Sequence, residues 1–523
     1  MGQEIFNNQD LNQIRDHGLT VKEVLRHLDL FKTPPPYLKL LRPCTPGDGI
    51  TAIDKKKIQA MANSYELDRQ KRRYLKFVPA SGAASRMFED FLRYVNQEKE
   101  ITRDHLVSKS EEGIKAAQEV LEIMNGIKKF AFFKDLESTL LERGLDIDTL
   151  LHKGQFTSIV HLLLSEEGLN YAGLPKALLK FHEYPDGSRT AFEEHMVEAV
   201  SYIASKNGHC RIHFTVSREH LEKFEALYKK AGPIFENQDK VLFQVTFSTQ
   251  KKSTDTLAVG LDNKPFRQKN GMLLFRPGGH GALLEDLNDL QGDIIFIKNI
   301  DNIVPDRLKP ASTKWKQILC GYLITIQKKI FNYIEMLSSG PIEERFLDQL
   351  IASIRKDVSL PLPDFTADTT LEERKAFLME RLNRPLRVCG MVKNEGEPGG
   401  GPFWVRDRSG ESSLQIVEKG QIDPDSKEQQ AILATSTYFN PVDLVCGVRD
   451  RRGTPFNLRR YVDPSAVLIS QKSNDGKALK ALERPGLWNG AMALWNTVFV
   501  EVPGITFHPV KTVNDFLRKE HQP

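Results

Sequence analysis

The chain has few cysteines and almost no net charge. Five cysteines occur in 523 residues, and no two of them lie at the spacing of metal ligands. A disulfide framework and a zinc site are therefore not expected, and a reducing compartment fits this composition. Lysine and arginine total 73 against 69 aspartate and glutamate residues, a net charge of +4. This balance gives no reason to expect a nucleic acid or a membrane as a partner.

Long apolar runs are also lacking. No segment approaches the roughly 18 consecutive apolar residues that cross a membrane, and residues 1–10 are polar rather than the apolar core of a signal peptide. A Gly-x4-Gly-Lys-Ser/Thr segment does not occur, which argues against a P-loop kinase or hydrolase. We therefore expect a cytoplasmic protein.

The apolar pattern predicts an α/β fold. A short apolar run at 74–78 ends at Pro79 and the small-residue loop 80–85, and a helical pattern starts at Arg86. Strand, tight loop and helix in this order typically open a nucleotide-binding unit. Further predicted strands are 211–216, 241–247 and 293–297, and predicted helices are 190–205 and 218–230. Continuous apolar strands of this kind suit a mainly parallel sheet with helices on both faces.

Four regions are expected along the chain. Their predicted bounds are 1–72, a helical region; 73–310, the α/β core with a helical insertion at 100–170; 311–380, a second helical insertion; and 381–523, a β-rich part that completes the core.

The loop after the first strand consists of very small residues. Ala80, Ser81, Gly82, Ala83 and Ser85 allow backbone N–H groups to approach a triphosphate, and the helix start that follows favours negative charge. Arg86 then supplies a cation for phosphate oxygens. Taken alone, the same residues are equally typical of a simple tight turn.

Three further segments carry ligand-binding residue types. Three glycines around a histidine, Gly278 to Gly281, let the backbone lie against a flat ligand such as a base, although a surface loop gives the same pattern. Asp301 directly follows a buried strand, where a carboxylate can hold Mg²⁺ against phosphates or merely cap the next turn. Near the C-terminus, Lys511 stands between apolar positions and either enters a site or is an ordinary surface lysine.

The order of these segments resembles that of the sugar-nucleotidyltransferases. Ser85-Arg86-Met87 is similar to the end of their glycine-rich loop, and residues 174–178 look like their Pro-Lys-x-Leu motif. Residues 277–281 resemble the Pro-Gly-His-Gly segment of UDP-sugar pyrophosphorylases, and 299–302 their Asp-Asn pair. The last matches are 417–419, similar to a Val-Glu-Lys segment near the sugar, and 509–511, similar to a segment whose lysine contacts phosphate.

This resemblance implies a GT-A-like fold and a role for each matched residue. Ala80, Ser81, Gly82, Ala83, Ser85 and Arg86 are expected at the triphosphate, with Lys176 and Lys511 neutralising the reacting phosphates and Asp301 holding Mg²⁺. Gln250, Gly279, His280 and Gly281 are expected at the base and ribose, and Glu418 and Asn440 at the sugar, although an exposed glutamate is more often only solvated. The chain as a whole also resembles a bacterial family known as domain of unknown function 4301.

Two departures from the pattern stand out. Ser81 and Ala84 occupy positions that are usually glycine in the resembled enzymes, and the spacing from Arg86 to Lys176 is unusually long because of the helical insertion. We therefore expect an enzyme that joins a sugar 1-phosphate to a nucleoside triphosphate, with UTP favoured, and releases pyrophosphate. The alternative is a non-catalytic nucleotide-sugar-binding or regulatory protein on the same fold, but retention of Lys176, Asp301 and Lys511 argues against it.

Overall fold

The computed structural model divides the chain into two compact units. It describes residues 5–35, 37–98, 100–290, 292–358, 360–366, 368–396, 399–407 and 410–523. The first unit comprises Met1–Leu75, Gln250–Ile297 and Lys316–Pro503, and the second comprises Lys76–Thr249, Lys298–Trp315 and Gly504–Pro523.

Three parallel strands form the sheet of the second unit. Strand His209–Val216 lies between Tyr74–Pro79 and Leu242–Thr249, with Phe214 paired to Val78 on one side and to Phe247 on the other. Tyr74–Pro79 and His209–Val216 are mostly buried, as strands inside a covered sheet are, whereas Leu242–Thr249 is mostly half-buried or exposed. The predicted parallel strands are confirmed. Helices Ala191–Ile203 and Leu221–Asp239 and an antiparallel pair, Lys180–Tyr184 with Gly187–Thr190, belong to the same unit.

The start of helix Ala191–Ile203 is fixed by a capping box. The Thr190 hydroxyl accepts a hydrogen bond from the Glu193 N–H at 3.2 Å, and the Glu193 carboxylate accepts one from the Thr190 N–H at 2.7 Å. This arrangement satisfies N–H groups that have no partner within the helix. Phe192 then packs on Phe214 of the sheet, with ring centroids 4.6 Å apart. The predicted helix and its cap are confirmed.

The segment between 100 and 170 is helical, in agreement with its periodicity. Its buried apolar side chains include Leu106, Val120 and Leu136. The helices of this part of the second unit are Glu89–Gln97, Arg103–Glu111, Lys115–Gly126, Phe133–Leu141, Ile147–Lys153 and Thr157–Leu164. Two expected helix starts differ in detail, because Ala84–Arg86 and Val513–Leu517 form 3-10 turns.

The main sheet of the first unit is mixed but mainly parallel. Its strands follow the order Thr45–Pro46, Gly49–Thr51, Asn496–Glu501, Leu386–Lys393, Asp443–Gly447 and Ile294–Lys298. The first four are parallel to one another, whereas Asp443–Gly447 and Tyr438–Phe439 run antiparallel to Leu386–Lys393. The predicted class, α/β with a mainly parallel sheet, is confirmed at this level.

Smaller sheets and helices complete the first unit. An antiparallel sheet joins Lys39–Pro43, Gly401–Arg406 and Ser412–Val417, and two antiparallel pairs join Leu468–Asn474 to Lys477–Glu483 and Thr256–Leu257 to Phe275–Arg276. The helices are Asn8–Asp16, Val21–Lys32, Lys55–Asp68, Leu284–Asp289, Lys309–Ser338 (which contains the boundary at residue 316), Glu344–Val358, Leu371–Leu382 and Lys427–Ala434.

All five cysteines are free and buried. Among the residues described above, no helix combines the length and the apolar character needed to cross a membrane.

Candidate functional site

Two lysines converge on one carboxylate in the second unit. The Lys511 ammonium donates to Asp301 Oδ2 at 2.9 Å, and the Lys176 ammonium lies 3.5 Å from the same oxygen. Lys176 also donates to the Val510 carbonyl at 3.1 Å. The Lys176 and Asp301 side chains are 12% and 11% exposed, whereas that of Lys511 is 36% exposed. We call Lys176, Asp301 and Lys511 the lysine-aspartate cluster.

Backbone pairing holds two parts of this cluster together. Asn302 and Pro509 form an isolated antiparallel bridge, and the Val510 N–H donates to the Asp301 carbonyl at 3.0 Å. The Asp515 carboxylate accepts from the N–H groups of Lys511 and Thr512 at 2.7 and 2.8 Å. Val510 itself is fully buried, as predicted. The stem of Lys511 is therefore fixed even though its ammonium is partly exposed.

Lys176 is positioned by the small-residue loop. The Lys176 N–H donates to the Gly82 carbonyl at 3.0 Å, and the Ala84 N–H donates to the Leu174 carbonyl at 2.9 Å. Within the described residues, the N–H groups of Ser81, Gly82 and Ala83 have no hydrogen-bond partner. A Cβ atom at Gly82 would meet nothing within 4 Å. The loop therefore presents unpaired N–H groups next to the residue that anchors Lys176.

The cluster carries more positive than negative charge. Burial lowers the pKa of Lys176 below its ordinary value; the Asp301 carboxylate opposes that shift, and the positive charges of Lys511 and Arg86 add to it. Arg86 is exposed and lies within electrostatic reach of Lys176. An anion bound here would relieve the repulsion among the cations.

Asp301 keeps one oxygen without a partner. Its Oδ1 atom is buried and accepts no hydrogen bond from any residue that the structure describes. No group of three or more His, Cys, Asp or Glu side chains in this described part forms a metal site. A cation at Asp301 would therefore take most of its oxygen ligands from a bound substrate, as Mg²⁺ commonly does at phosphates.

A second group of candidate residues lies in the first unit, around His280. The imidazole stacks on Trp488 with ring centroids 4.4 Å apart, and its Nε2 atom lies 3.7 Å from Glu418 Oε1. The Leu487 N–H donates to Nδ1 at 3.1 Å, which places the proton of the neutral ring on Nε2, facing Glu418. Burial lowers the pKa of His280 to about 4, so the ring is neutral at pH 7.

Close backbone packing holds the glycine-rich loop beside this histidine. Gly279 has a φ of +73°, and a Cβ atom there would lie 2.8 Å from the Glu483 carboxylate. A Cβ atom at Gly281 would lie 2.1 Å from the Pro485 carbonyl. A larger residue at Gly279 would strain the backbone because of the positive φ, and one at Gly281 would collide with the Pro485 backbone and displace the loop.

Glu418 sits in a partly apolar environment. Burial raises the pKa of Glu418, the nearby Glu483 adds to the rise, and a hydrogen bond with Trp488 opposes it. Its N–H donates to the Gln421 side chain at 2.9 Å. Glu418 is thus held in place rather than simply solvated.

The remaining predicted residues of the first unit have other partners. The Asn440 N–H donates to the Gly400 carbonyl at 2.9 Å, and its Oδ1 accepts from the Val442 N–H at 3.1 Å. Its Nδ2 atom is buried without a hydrogen-bond partner among the described residues. Gln250 lies 3.5 Å from Asp255, and no contact of Gln250 with His280 is seen in the described part of the chain.

Sequence reasoning missed Trp488, Asn489 and Asp515. The Asn489 side chain donates to the Ile416 carbonyl at 2.9 Å, and its Oδ1 atom is buried without a partner within the described ranges. No local pattern in the segment Gly486-Leu487-Trp488-Asn489 marks it as part of a site. Asp515 did offer a signal, because the spacing Thr512-x-x-Asp515 has the form of a cap.

The structure resembles solved sugar-nucleotide enzymes at low identity. A uridine diphosphate N-acetylglucosamine pyrophosphorylase from Trypanosoma brucei is 12% identical, with a TM-score of 0.44 over 94% of this chain and 71% of that one. The UDP-glucose pyrophosphorylase from Leishmania major is 11% identical, with a TM-score of 0.42 over 97% of this chain and 77% of that one. Because these TM-scores lie below 0.5, we base no conclusion on them.

Family membership rests on a match over nearly the whole chain, as the sequence predicted. No curated protein matches the chain. The chain belongs to the family described as Domain of unknown function (DUF4301), whose model matches residues 7–522.

Proposed function

We propose that the protein is a sugar-nucleotidyltransferase that joins a sugar 1-phosphate to a nucleoside triphosphate, with UTP favoured, and releases pyrophosphate. The lysine-aspartate cluster carries this proposal. Two lysines share a single carboxylate oxygen, Arg86 adds a further positive charge, and Lys176 is partly desolvated. Such a surplus of cations beside unpaired backbone N–H groups suits a ligand with several phosphates.

In the proposed reaction, an oxygen of the sugar phosphate attacks the α-phosphorus of the nucleotide and the bond to pyrophosphate breaks. Lys176 and Lys511 would hold the phosphate oxygens on which charge develops, since each ammonium can exchange its contact with Asp301 for one with the substrate. Arg86 and residues 80–85 would hold the triphosphate. Chemistry of this kind depends on positioning and on charge neutralisation more than on covalent help.

Mg²⁺ fits the residues present. Asp301 has one buried oxygen without a partner and would hold the ion together with phosphate oxygens. When bound, the ion would neutralise phosphate charge.

The residues around His280 suit the base and the sugar. The stacked His280 and Trp488 rings form a flat surface, and the neutral imidazole can donate from Nε2. Gly279 and Gly281 would bring the backbone close to the base, with Gln250 beside it. Glu418 and the unpaired Nδ2 of Asn440 would bond sugar hydroxyl groups, because unsatisfied buried polar atoms favour a polar ligand.

One observation favours the alternative, a non-catalytic nucleotide-sugar-binding protein. The Ala84 N–H, at a position that is usually glycine in the resembled enzymes, donates to the Leu174 carbonyl and is not available to a phosphate. Binding without turnover would then be the outcome.

Pyrophosphate exchange distinguishes the two. We expect the full chain with Mg²⁺ to incorporate radiolabelled pyrophosphate into UTP when a suitable UDP-sugar from a panel is supplied, and the Lys511→Ala variant to lose this activity. Saturable binding of a UDP-sugar without exchange would support the non-catalytic alternative.

We also propose a cytoplasmic location, in keeping with the free cysteines, and the four-region division of the chain with GT-A-like details of the core.

A further inference from the structure

The first unit contains a cavity of about 320 Å³, and of the residues in the proposed function only Gly281 lines it. Helix Val21–Lys32 and hairpin strand Lys477–Glu483 contribute to its walls. His280 and Glu418 are not among its lining residues. The volume falls in the range of sites for small organic ligands, which is about 300–1,000 Å³.

Much of the wall is apolar. Leu284, Val462, Val467 and Leu482 line the cavity together with Pro464 and Pro485. Leu284 and Leu482 are buried, and Val462 and Val467 are half-buried. An apolar wall of this kind favours a ligand with an apolar body.

Arg484 brings a positive charge to this cavity. Its Nε and Nη2 atoms donate to the carbonyls of Thr254 and Ser253 at 2.8 and 2.7 Å. It forms no ion pair with any described residue. Arg484 is half-buried, and burial lowers its pKa. The carboxylates of Glu285, Glu23 and Asp255 offset part of the cost of this desolvation, and an anion in the cavity would offset more of it.

Two carboxylates, Glu23 and Glu285, line the cavity and act on Arg484 electrostatically without forming an ion pair with it. Glu285 is paired with Arg459, with contacts down to 2.5 Å. The carboxylate of Glu23 accepts from the N–H and hydroxyl of Thr20 at the start of its own helix, both at 2.7 Å. Glu285 is thus paired with an arginine, whereas Glu23 is bonded to neutral groups and its negative charge acts on Arg484.

Two further groups of the lining leave the net charge of the cavity positive. Arg26 donates only to the Pro464 carbonyl, at 3.3 Å, and pairs with no carboxylate in the described part of the chain. Burial lowers the pKa of His27 to about 4, so this ring is neutral at pH 7. The lining thus carries three arginines, Arg26, Arg459 and Arg484, against the two carboxylates of Glu23 and Glu285, which leaves one positive charge in excess.

We propose that this cavity binds a small organic anion with an apolar body, whose acidic group is held by Arg26 and Arg484. The site is separate from the lysine-aspartate cluster and shares only Gly281 with the residues of the proposed transferase site. A ligand there would also touch the loop that carries His280, because Gly281 lines the cavity and the Arg484 N–H donates to the Gly278 carbonyl at 2.9 Å.

The proposal is tested with a matched pair of probes, naphthalene-2-carboxylate and its neutral carboxamide, titrated calorimetrically into the full chain. The carboxylate should bind at one site, and the carboxamide and inorganic phosphate should each bind roughly tenfold more weakly or worse, since one lacks the charge and the other the apolar body. Arg26→Ala should weaken carboxylate binding by roughly tenfold. Arg484→Met should do the same if it folds, and Val462→Trp should block binding by filling the cavity.

Arg460→Ala is the matched control, because Arg460 is exposed on the neighbouring turn and does not line the cavity. It should leave carboxylate binding unchanged. Equal binding of the two naphthalene probes, equal effects of Arg26→Ala and Arg460→Ala, or no saturable carboxylate binding up to about 10 mM would each overturn the proposal.

Discussion

Removing the Lys511 ammonium is expected to abolish turnover while barely changing stability. Lys511 is 36% exposed, and its contact with Asp301 is therefore screened by solvent. Such a contact contributes at most about 1 kcal/mol to folding. Asp301 also keeps the Lys176 ammonium at 3.5 Å in the Lys511→Ala variant, so no buried carboxylate is left without a counter-charge. The melting temperature should fall by no more than about 4 °C.

The effect on turnover should be far larger. If Lys511 contacts phosphate more strongly in the transition state than in the ground state, its loss should lower kcat and kcat/KM together. Loss of one preorganised charge donor corresponds to a decrease of roughly a hundredfold or more. Lys511→Arg should restore little, because the planar guanidinium does not replace a compact ammonium.

The assay is steady-state pyrophosphate release with the best substrate pair, together with thermal melting of each variant. Lys519→Ala is the control, because Lys519 is an exposed lysine of the same C-terminal segment. Turnover of the Lys511→Ala variant within a few-fold of the Lys519→Ala variant would refute the assignment, as would a large loss of stability.

Three other perturbations have definite expected outcomes. Asp301→Asn should keep the fold but lower turnover at limiting Mg²⁺ by roughly a hundredfold, as measured by titrating the metal. Turnover at the wild-type rate would instead show that the carboxylate is a structural cap. Thr190→Ala removes the cap of helix Ala191–Ile203 and should lower the free energy of unfolding by about 1 kcal/mol in urea titrations. The decrease should be larger than that caused by Thr370→Ala, because the cap at Thr370 is more exposed. Burial lowers the pKa of His213 from 6.5 to about 4. Between these pH values the unfolded chain binds more protons than the folded one, so the free energy of unfolding should fall as the pH falls from 6.5 to about 4. His213→Gln should flatten that fall in unfolding titrations at a series of pH values.

Local structure could be predicted from the sequence where interactions between residues close in the chain determine it. The strand Tyr74–Pro79 appears as a short, mostly apolar run because its side chains are buried on both faces. The helix Ala191–Ile203 begins where Thr190 and Glu193 satisfy free N–H groups. Both signals lie within a few residues and do not depend on the rest of the fold.

The order of the strands in the first unit could not be predicted from local sequence patterns. Its strand order places Gly49–Thr51 beside Asn496–Glu501, a pairing between chain segments about as far apart as the sequence allows. Nothing in either segment specifies the other. Trp488 was missed for the same reason, since its stacking on His280 depends on contacts that no local pattern encodes.

The candidate site was predicted in part by chemistry and in part by resemblance. The structure brings Lys176, Asp301 and Lys511 together, and the roles given to them remain predictions. Two details were outside the reach of sequence reasoning. Burial of the Lys176 ammonium is a property of the folded chain. The hydrogen bond from the Lys511 N–H to the Asp515 carboxylate adds to the cap that the spacing indicates.

The central claim is tested most directly by a pyrophosphate-release screen of nucleoside triphosphates against sugar 1-phosphates, with the products identified by mass spectrometry. The account predicts that UTP with at least one sugar 1-phosphate and Mg²⁺ yields equal amounts of pyrophosphate and UDP-sugar, and that the Asp301→Asn and Lys511→Ala variants do not. Pyrophosphate release that is absent for every pair, or that is unchanged in both variants, would contradict it.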